Sequence, residues 1–403
     1  MSRHETKLRL YLSAFMVAAG LLGYIGLIET HQPTLNLQPS VSISAPQSSH
    51  ALSMNWPKYG QAAVGASDLG VLATHGSQTS VPMASTAKIM VALAVLKAKP
   101  LSPKQTATPV ITLTQDDVDI YTSNVARNGS VILVAAGERI SEYQALQSLL
   151  LPSANNMAAS LAIWAFGSVD GYTTYANKLA AQLGLDQTHL ADASGFSPGT
   201  MSTANNLVKL SLVAMKNPVF ADIVGQPSAV IPVAGEIHNS NFLLGRNGIV
   251  GIKTGHTDQA GGVFVAAAIH RVGGQTVTVI ATVMGGPDIS RSMLDSVPLL
   301  ASAEKNLVQR TVVKKGTTIG TYEVPWASQV SLKTTSDLNL IVWGGSSIVT
   351  THEIEALHAT AHASTPVGTI NATSRGVSAH VPVVTSTSIT RASLWWRMLH
   401  PTY

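Results

Sequence analysis

Three short stretches of this chain place side chains where they could do chemistry together. Ser85 and Lys88 lie three apart in Ser-Thr-Ala-Lys, at the head of the apolar run Met83–Lys99, which predicts a helix beginning just after Pro82. Residues three apart share a helical face, so a hydroxyl and an amine can meet. Ile89, Ala92 and Leu96 continue that face in apolar side chains. A desolvated lysine has a lowered pKa and can act as a base toward a neighbouring serine, and the helix N-terminus adds positive potential there. Taken alone, the motif equally describes a helix-start serine beside a snorkelling lysine. A second copy, Ser302-Ala303-Glu304-Lys305, reads as an ordinary solvated helix face.

The other two motifs are Ser153-Ala154-Asn155 and Lys253-Thr254-Gly255. The first sits in a Pro-Ser-Ala-Asn-Asn turn between helix-like segments, where Ser153 could relay a proton and the Asn155 amide could hold a peptide carbonyl. By itself it also fits a helix N-cap. A further Ser-x-Asn, Ser53 to Asn55, precedes the nucleophile and has no partner motif. Lys253-Thr254-Gly255 stands before a Gly-rich turn and an apolar strand. Its ammonium and hydroxyl suit a carboxylate, and Gly255 leaves room for a substrate along the backbone.

The elements that must position these residues follow from composition and patterning. The chain has 403 residues, of which 46 are Asp, Glu, Lys or Arg, and a net charge of +4. So few charges exclude a charged coiled coil and a charge-rich disordered chain, and no arginine-rich run suggests a nucleic-acid partner. The absence of cysteine removes thiolate nucleophiles, disulfides and cysteine zinc sites. In His352-Glu353-Ile354-Glu355-Ala356-Leu357-His358 the second histidine comes two residues too late for a helical zinc motif, so no metal is expected.

Arg3, Lys7 and Arg9 precede the uncharged run Leu10–Ile28, long enough at about 1.5 Å per residue to cross a ~30 Å hydrocarbon core. The basic flank predicts an N-in orientation with the rest of the chain exported. Residues 1–30 therefore read as a signal anchor, or as a signal peptide cleaved near Val17-Ala18-Ala19. Residues 31–50, rich in Pro, Ser and Gln, read as a linker. Mixed strands and amphipathic helices over 51–309 predict the main domain, and short Val/Thr/Ile runs over 310–389 predict a small all-β domain. The 390–403 tail carries Arg391, Trp395, Trp396 and Arg397, which suits either a membrane interface or docking on the β domain.

In order and context the three motifs resemble those of the active-serine penicillin-recognising enzymes, and the chain is similar to the low-molecular-mass penicillin-binding proteins, the serine-type D-alanyl-D-alanine carboxypeptidases. DASGFSPGTMSTANNLVKL (Asp192–Leu210) and IHNSNFLLGRNGIVGIKTGHTDQAG (Ile237–Gly261) extend the likeness, which covers roughly Asn55–Gln309. It implies an α/β (α+β) serine β-lactamase/transpeptidase-like catalytic domain, with an antiparallel sheet flanked by helices, followed by a small all-β domain. It further implies that Ser85 attacks the terminal D-Ala-D-Ala bond, that Lys88 takes its proton and that Ser153, helped by Lys253, protonates the leaving amine. Asn155 would hold the substrate backbone and Thr254 the terminal carboxylate. The backbone N–H groups of Ser85 and His256 would form the oxyanion hole, and Arg291 would assist at the carboxylate or form a surface ion pair. Asn156 departs from the acid that many relatives carry there. The implied substrates are peptidoglycan stem peptides and the implied inhibitors β-lactams, with no cofactor. The only glutamate between Ser153 and Lys253 is Glu236, outside any Glu-x-x-x-Asn loop, which argues against a class A β-lactamase. A D,D-endopeptidase or another β-lactamase of the same superfamily, and an inactive wall-binding or sensor module, remain open at this point.

Overall fold

The apolar runs Val263–Ala268 and Val277–Val283 become the centre of a five-stranded antiparallel sheet. Its strands are β1 (Gln61–Ala66), β2 (Gly70–His75), β3 (Ile249–Thr257), β4 (Gly261–Val272) and β5 (Gln275–Gly286), in the order β3-β4-β5-β1-β2. This computed structural model describes residues 3–30, 37–43, 52–102, 109–358 and 360–400. β4 and β5 are buried along most of their length, so they read as continuous apolar runs rather than alternating ones. Gly273 and Gly274 join them, both at positive φ, as a two-residue hairpin demands.

The helices that matter here are α1 (Lys88–Ala98), α2 (Gln115–Ala126), α3 (Glu142–Leu150), α4 (Asn155–Phe166), α5 (Ala204–Ala214) and α6 (Ile289–Asn306). α6 packs on β4 and β5, and α5 packs on β1 and β5. α1 is buried from Lys88 to Leu96, as a helix apolar all round must be. The sequence predicted this helix from Met83; instead its first turn, Ala84–Ala87, is a 3-10 turn entered through Ala84 at φ +49°. A capping box, Ser141 with Gln144, starts α3. α4 begins only at Asn155, so the intervening turn carries Ser153 at φ +67°.

The chain divides into two compact units, residues 49–309 with 341–345, and residues 1–48, 310–340 and 346–403. The second contains strands β6 (Thr318–Tyr322), β7 (Val330–Thr334), β8 (Val349–Ile354), β9 (Pro366–Ser374) and β10 (Val377–Thr385). They form an antiparallel sheet in the order β6-β7-β10-β9-β8, with Pro39–Val41 added at the β6 edge. The 31–50 stretch, expected as a linker throughout, is corrected by this pairing. Ser40 lies opposite Thr321, and Leu37 bridges Leu357. Gly320 permits the approach, because a Cβ there would stand 2.3 Å from the Ser40 carbonyl oxygen. Proline is tolerated on an edge strand. Residues 31–36 and 44–51 lie outside the described residues.

The N-terminal helix, Arg3–Thr30, is long and apolar enough over His4–Leu27 to cross a membrane, and that window buries nothing in the protein. The tail forms a short helix, Leu394–Leu399, whose Trp396 packs edge-on against Trp326 while Trp395 and Leu399 stay exposed.

Candidate active site

Lys88, the first residue of α1, is completely buried. Its Nζ lies 2.7 Å from Ser85 Oγ, 2.7 Å from Asn155 Oδ1, 3.1 Å from the Ser194 carbonyl oxygen and 3.4 Å from Ser153 Oγ. Four oxygens surround a nitrogen that has at most three protons to donate. As a neutral amine, Nζ can donate to Asn155 and Ser194 and turn its lone pair to the Ser85 hydroxyl. Burial holds Lys88 well below the ordinary lysine value, the charge of Lys253 pushes the same way, and Asp192 opposes both. The arrangement is that of a hydroxyl nucleophile with a base in place.

Two glycines let the Ser85 turn sit where it does. A Cβ on Gly255 would stand 2.9 Å from the Ser85 nitrogen, and one on Gly195 would stand 1.9 Å from the Ala84 carbonyl oxygen. The sequence suggested that Gly255 makes room for substrate; here it makes room for the nucleophile's own backbone. β3 also carries Lys253 and Thr254, both buried. Lys253 Nζ donates to the Thr254 carbonyl oxygen at 3.0 Å, and Thr254 Oγ1 lies 2.8 Å from Ser240 Oγ. Burial alone lowers Lys253 to about 7. His256 follows on the same strand, exposed and opposite Gly262.

Asp192 belongs to none of the three motifs. Its carboxylate accepts from the backbone N–H groups of Ser194, Gly195, Phe196 and Ser197 and from the hydroxyls of Ser194 and Thr200. This hub fixes the turn that points the Ser194 carbonyl at Lys88. An aspartate followed closely by Ser and Gly is a turn signal, but nothing in the local sequence says what the turn faces. Asn156 bonds both ways to Ile132, donating to its carbonyl and accepting from its N–H, and an ionised acid could only accept.

The structure thus brings together Ser85, Lys88, Ser153 and Asn155, with Gly255 against the same turn. It does not bring in Arg291. That residue lies in the first turn of α6, pairs through Nε with Asp295 at 2.9 Å, and leaves its side chain 59% exposed. Glu236 lies exposed on the short strand Gly235–His238. Ser302, expected on a solvated face, is buried and accepts from the Asn55 N–H.

The family described as D-alanyl-D-alanine carboxypeptidase matches residues 64–288. D-alanyl-D-alanine carboxypeptidase DacB2 of Mycobacterium tuberculosis is 36% identical over 228 residues, spanning 53% of this chain and 70% of that protein. The Streptomyces K15 DD-transpeptidase structure aligns with a TM-score of 0.52 at 26% identity, over 64% of this chain and 98% of that one. Penicillin-binding protein 6B of Escherichia coli shares the fold, with a TM-score of 0.60 at 22% identity over 86% of this chain and all of that one. The chain belongs to the D-alanyl-D-alanine carboxypeptidase family and is a serine hydrolase of that class.

Proposed function

We propose that this cluster removes the terminal D-alanine from peptidoglycan stem pentapeptides through an acyl-enzyme on Ser85. The observation that carries the reading is the completely buried Lys88 amine, 2.7 Å from Ser85 Oγ and held below its ordinary pKa. Lys88 takes the Ser85 proton as Oγ bonds to the carbonyl carbon of the penultimate D-alanine. The carbonyl oxygen becomes an oxyanion that the Ser85 and His256 N–H groups stabilise. Collapse breaks the C–N bond, and a proton relayed by Ser153 leaves with the D-alanine amine. Water then attacks the ester, with Lys88 again the base. Asn155 holds the substrate backbone, Lys253 supports the relay, and Thr254 receives the terminal carboxylate. A β-lactam enters the same path, and its ester persists where water is poorly activated.

The N-terminal helix supports placing the enzyme at the cell membrane, with its basic flank inside and the catalytic unit outside. Two measurements test the reading. A fluorescent penicillin should label the wild type and not Ser85→Ala; an unlabelled wild type would sink it. Mass spectrometry of treated muropeptides should show loss of one D-alanine from pentapeptides, whereas loss of crosslinks alone would make the enzyme an endopeptidase.

A further inference from the structure

Ser240 links the turn that carries Ser153 to the strand that carries Thr254. Its backbone N–H donates to the Leu151 carbonyl oxygen at 3.0 Å, just before that turn, and its Oγ lies 2.8 Å from Thr254 Oγ1. The segment around it is held firmly. The Asn239 side-chain amide donates to the carbonyl oxygens of Val224 and Gln226, the Asn239 backbone N–H donates to Pro227, and Asn239 Oδ1 accepts from the Asn241 N–H. Thr254 is buried, and Ser240 is the one partner of its hydroxyl among the described residues. The Thr254 carbonyl oxygen is taken by Lys253 Nζ. The Arg291 guanidinium is engaged elsewhere, because Asp295 accepts from its Nε and from the Tyr59 hydroxyl. Side-chain recognition of an anion beside β3 therefore falls on the Thr254 hydroxyl, which has a single proton to give.

We infer that Ser240 is a positioning residue for the terminal carboxylate: its hydroxyl donates to Thr254 Oγ1 and so turns the Thr254 proton toward the substrate. The inference rests on the carboxypeptidase reading above, in which Thr254 receives that carboxylate. The hydroxyl pair has two arrangements. When Thr254 donates to Ser240 its proton is occupied, and a carboxylate, which only accepts, meets lone pairs. When Ser240 donates to Thr254, the Thr254 proton is free, and a hydroxyl that accepts one hydrogen bond donates a stronger one. An ionised terminus selects the second arrangement. A carboxamide terminus carries N–H donors as well as an acceptor oxygen and is satisfied by either. Ser240 thereby sharpens the preference for a free acid over its amide without contacting the bond that breaks.

The experiment uses the full chain in detergent and two thioesters, Nα-acetyl-D-alanyl thioglycolate and its carboxamide. Both give the same acyl-enzyme, so they differ only in the terminus under test. The chain has no cysteine, so a disulfide reagent reads thiol release without background from the protein. Wild-type kcat/KM should favour the acid by at least about tenfold. Ser240→Ala should lower kcat/KM about fivefold for the acid, mostly through KM, and less than about twofold for the amide. Ser240→Thr keeps a donor and should recover most of the loss. The backbone bond to Leu151 is common to all three proteins, and a purely structural role would lower both substrates alike. An equal fall on both substrates, no fall on either, a fall in kcat alone, or a loss in Ser240→Thr as large as in Ser240→Ala would overturn the positioning role and leave the carboxypeptidase reading standing. A wild-type acid-to-amide ratio near one would take the carboxylate away from Thr254, and the role of Ser240 would fall with it. Failure of the wild type to release D-alanine from Nα-acetyl-L-lysyl-D-Ala-D-Ala would overturn the carboxypeptidase reading itself.

Discussion

Replacing Lys253 by methionine should make the catalytic unit more stable and far less active, with a gain that depends on pH. Burial lowers this lysine from 10.5 to about 7 in the folded protein, and the unfolded chain restores the ordinary value. Between those values the folded state binds fewer protons than the unfolded one. Stability therefore falls as pH drops through the window and levels off below about 7. The destabilisation amounts to about 4 kcal/mol at pH 7 and about 2 kcal/mol at pH 9. Methionine removes that term but also loses the bond to the Thr254 carbonyl oxygen, which costs about 1 kcal/mol. The net gain is then about 3 kcal/mol at pH 7, falling to about 1 kcal/mol at pH 9. Loss of the Lys253 charge also relieves Lys88, since that charge helps hold Lys88 down, and this adds in the same direction. Hydrogen exchange of β4 and β5 amides, read by mass spectrometry and corrected for intrinsic rates, reports opening of this unit alone. A gain equal at the two pH values, or a loss at pH 7, would refute the reasoning.

Three further tests follow from the same geometry. Asp192→Asn removes a negative charge that raises Lys88, so the free amine should persist to lower pH. The acid limb of penicillin acylation should then move down in pH as the rate falls about tenfold or more, whereas a purely structural role would leave that limb in place. Gly255→Ala drives a methyl to 2.9 Å from the Ser85 nitrogen; acylation should fall at least about a hundredfold, with the circular dichroism spectrum unchanged. Glu142 is buried with neither carboxylate oxygen bonded among the described residues, and burial pushes it from 4.5 up to about 7. The folded state there holds the extra proton, so stability falls as pH rises through that window. Glu142→Gln should gain no more than about 3 kcal/mol above pH 7 and nothing below pH 4.5, again by hydrogen exchange.

How much of this could be read from the chain differs from residue to residue. The Ser85–Lys88 spacing announces a shared face, and that face survives although a 3-10 turn replaces the first helical turn. The long sheet strands are legible because continuous apolar runs need burial on both sides. The meeting of the three motifs is not local information; only the resemblance to a known family supplied it. Asp192 stayed hidden because its part is to hold a backbone carbonyl in place, and a backbone carbonyl leaves no trace in residue type. Pro39–Val41 reads as linker in the sequence because strand pairing depends on a partner, here β6, whose identity local composition cannot reveal.

That edge strand also decides where the chain can be shortened. A chain begun at residue 52, where the catalytic unit's described residues start, would strip β6 of its neighbour and leave a row of unpaired backbone groups. Open strand edges recruit other copies of themselves. A chain begun at residue 37 would lose the apolar N-terminal helix yet keep the short, proline-bearing Pro39–Val41 as the outermost strand beside β6. The pairing of β6 therefore depends on a short segment, residues 37–43, that belongs by sequence to the leader side and by hydrogen bonding to the far end of the chain.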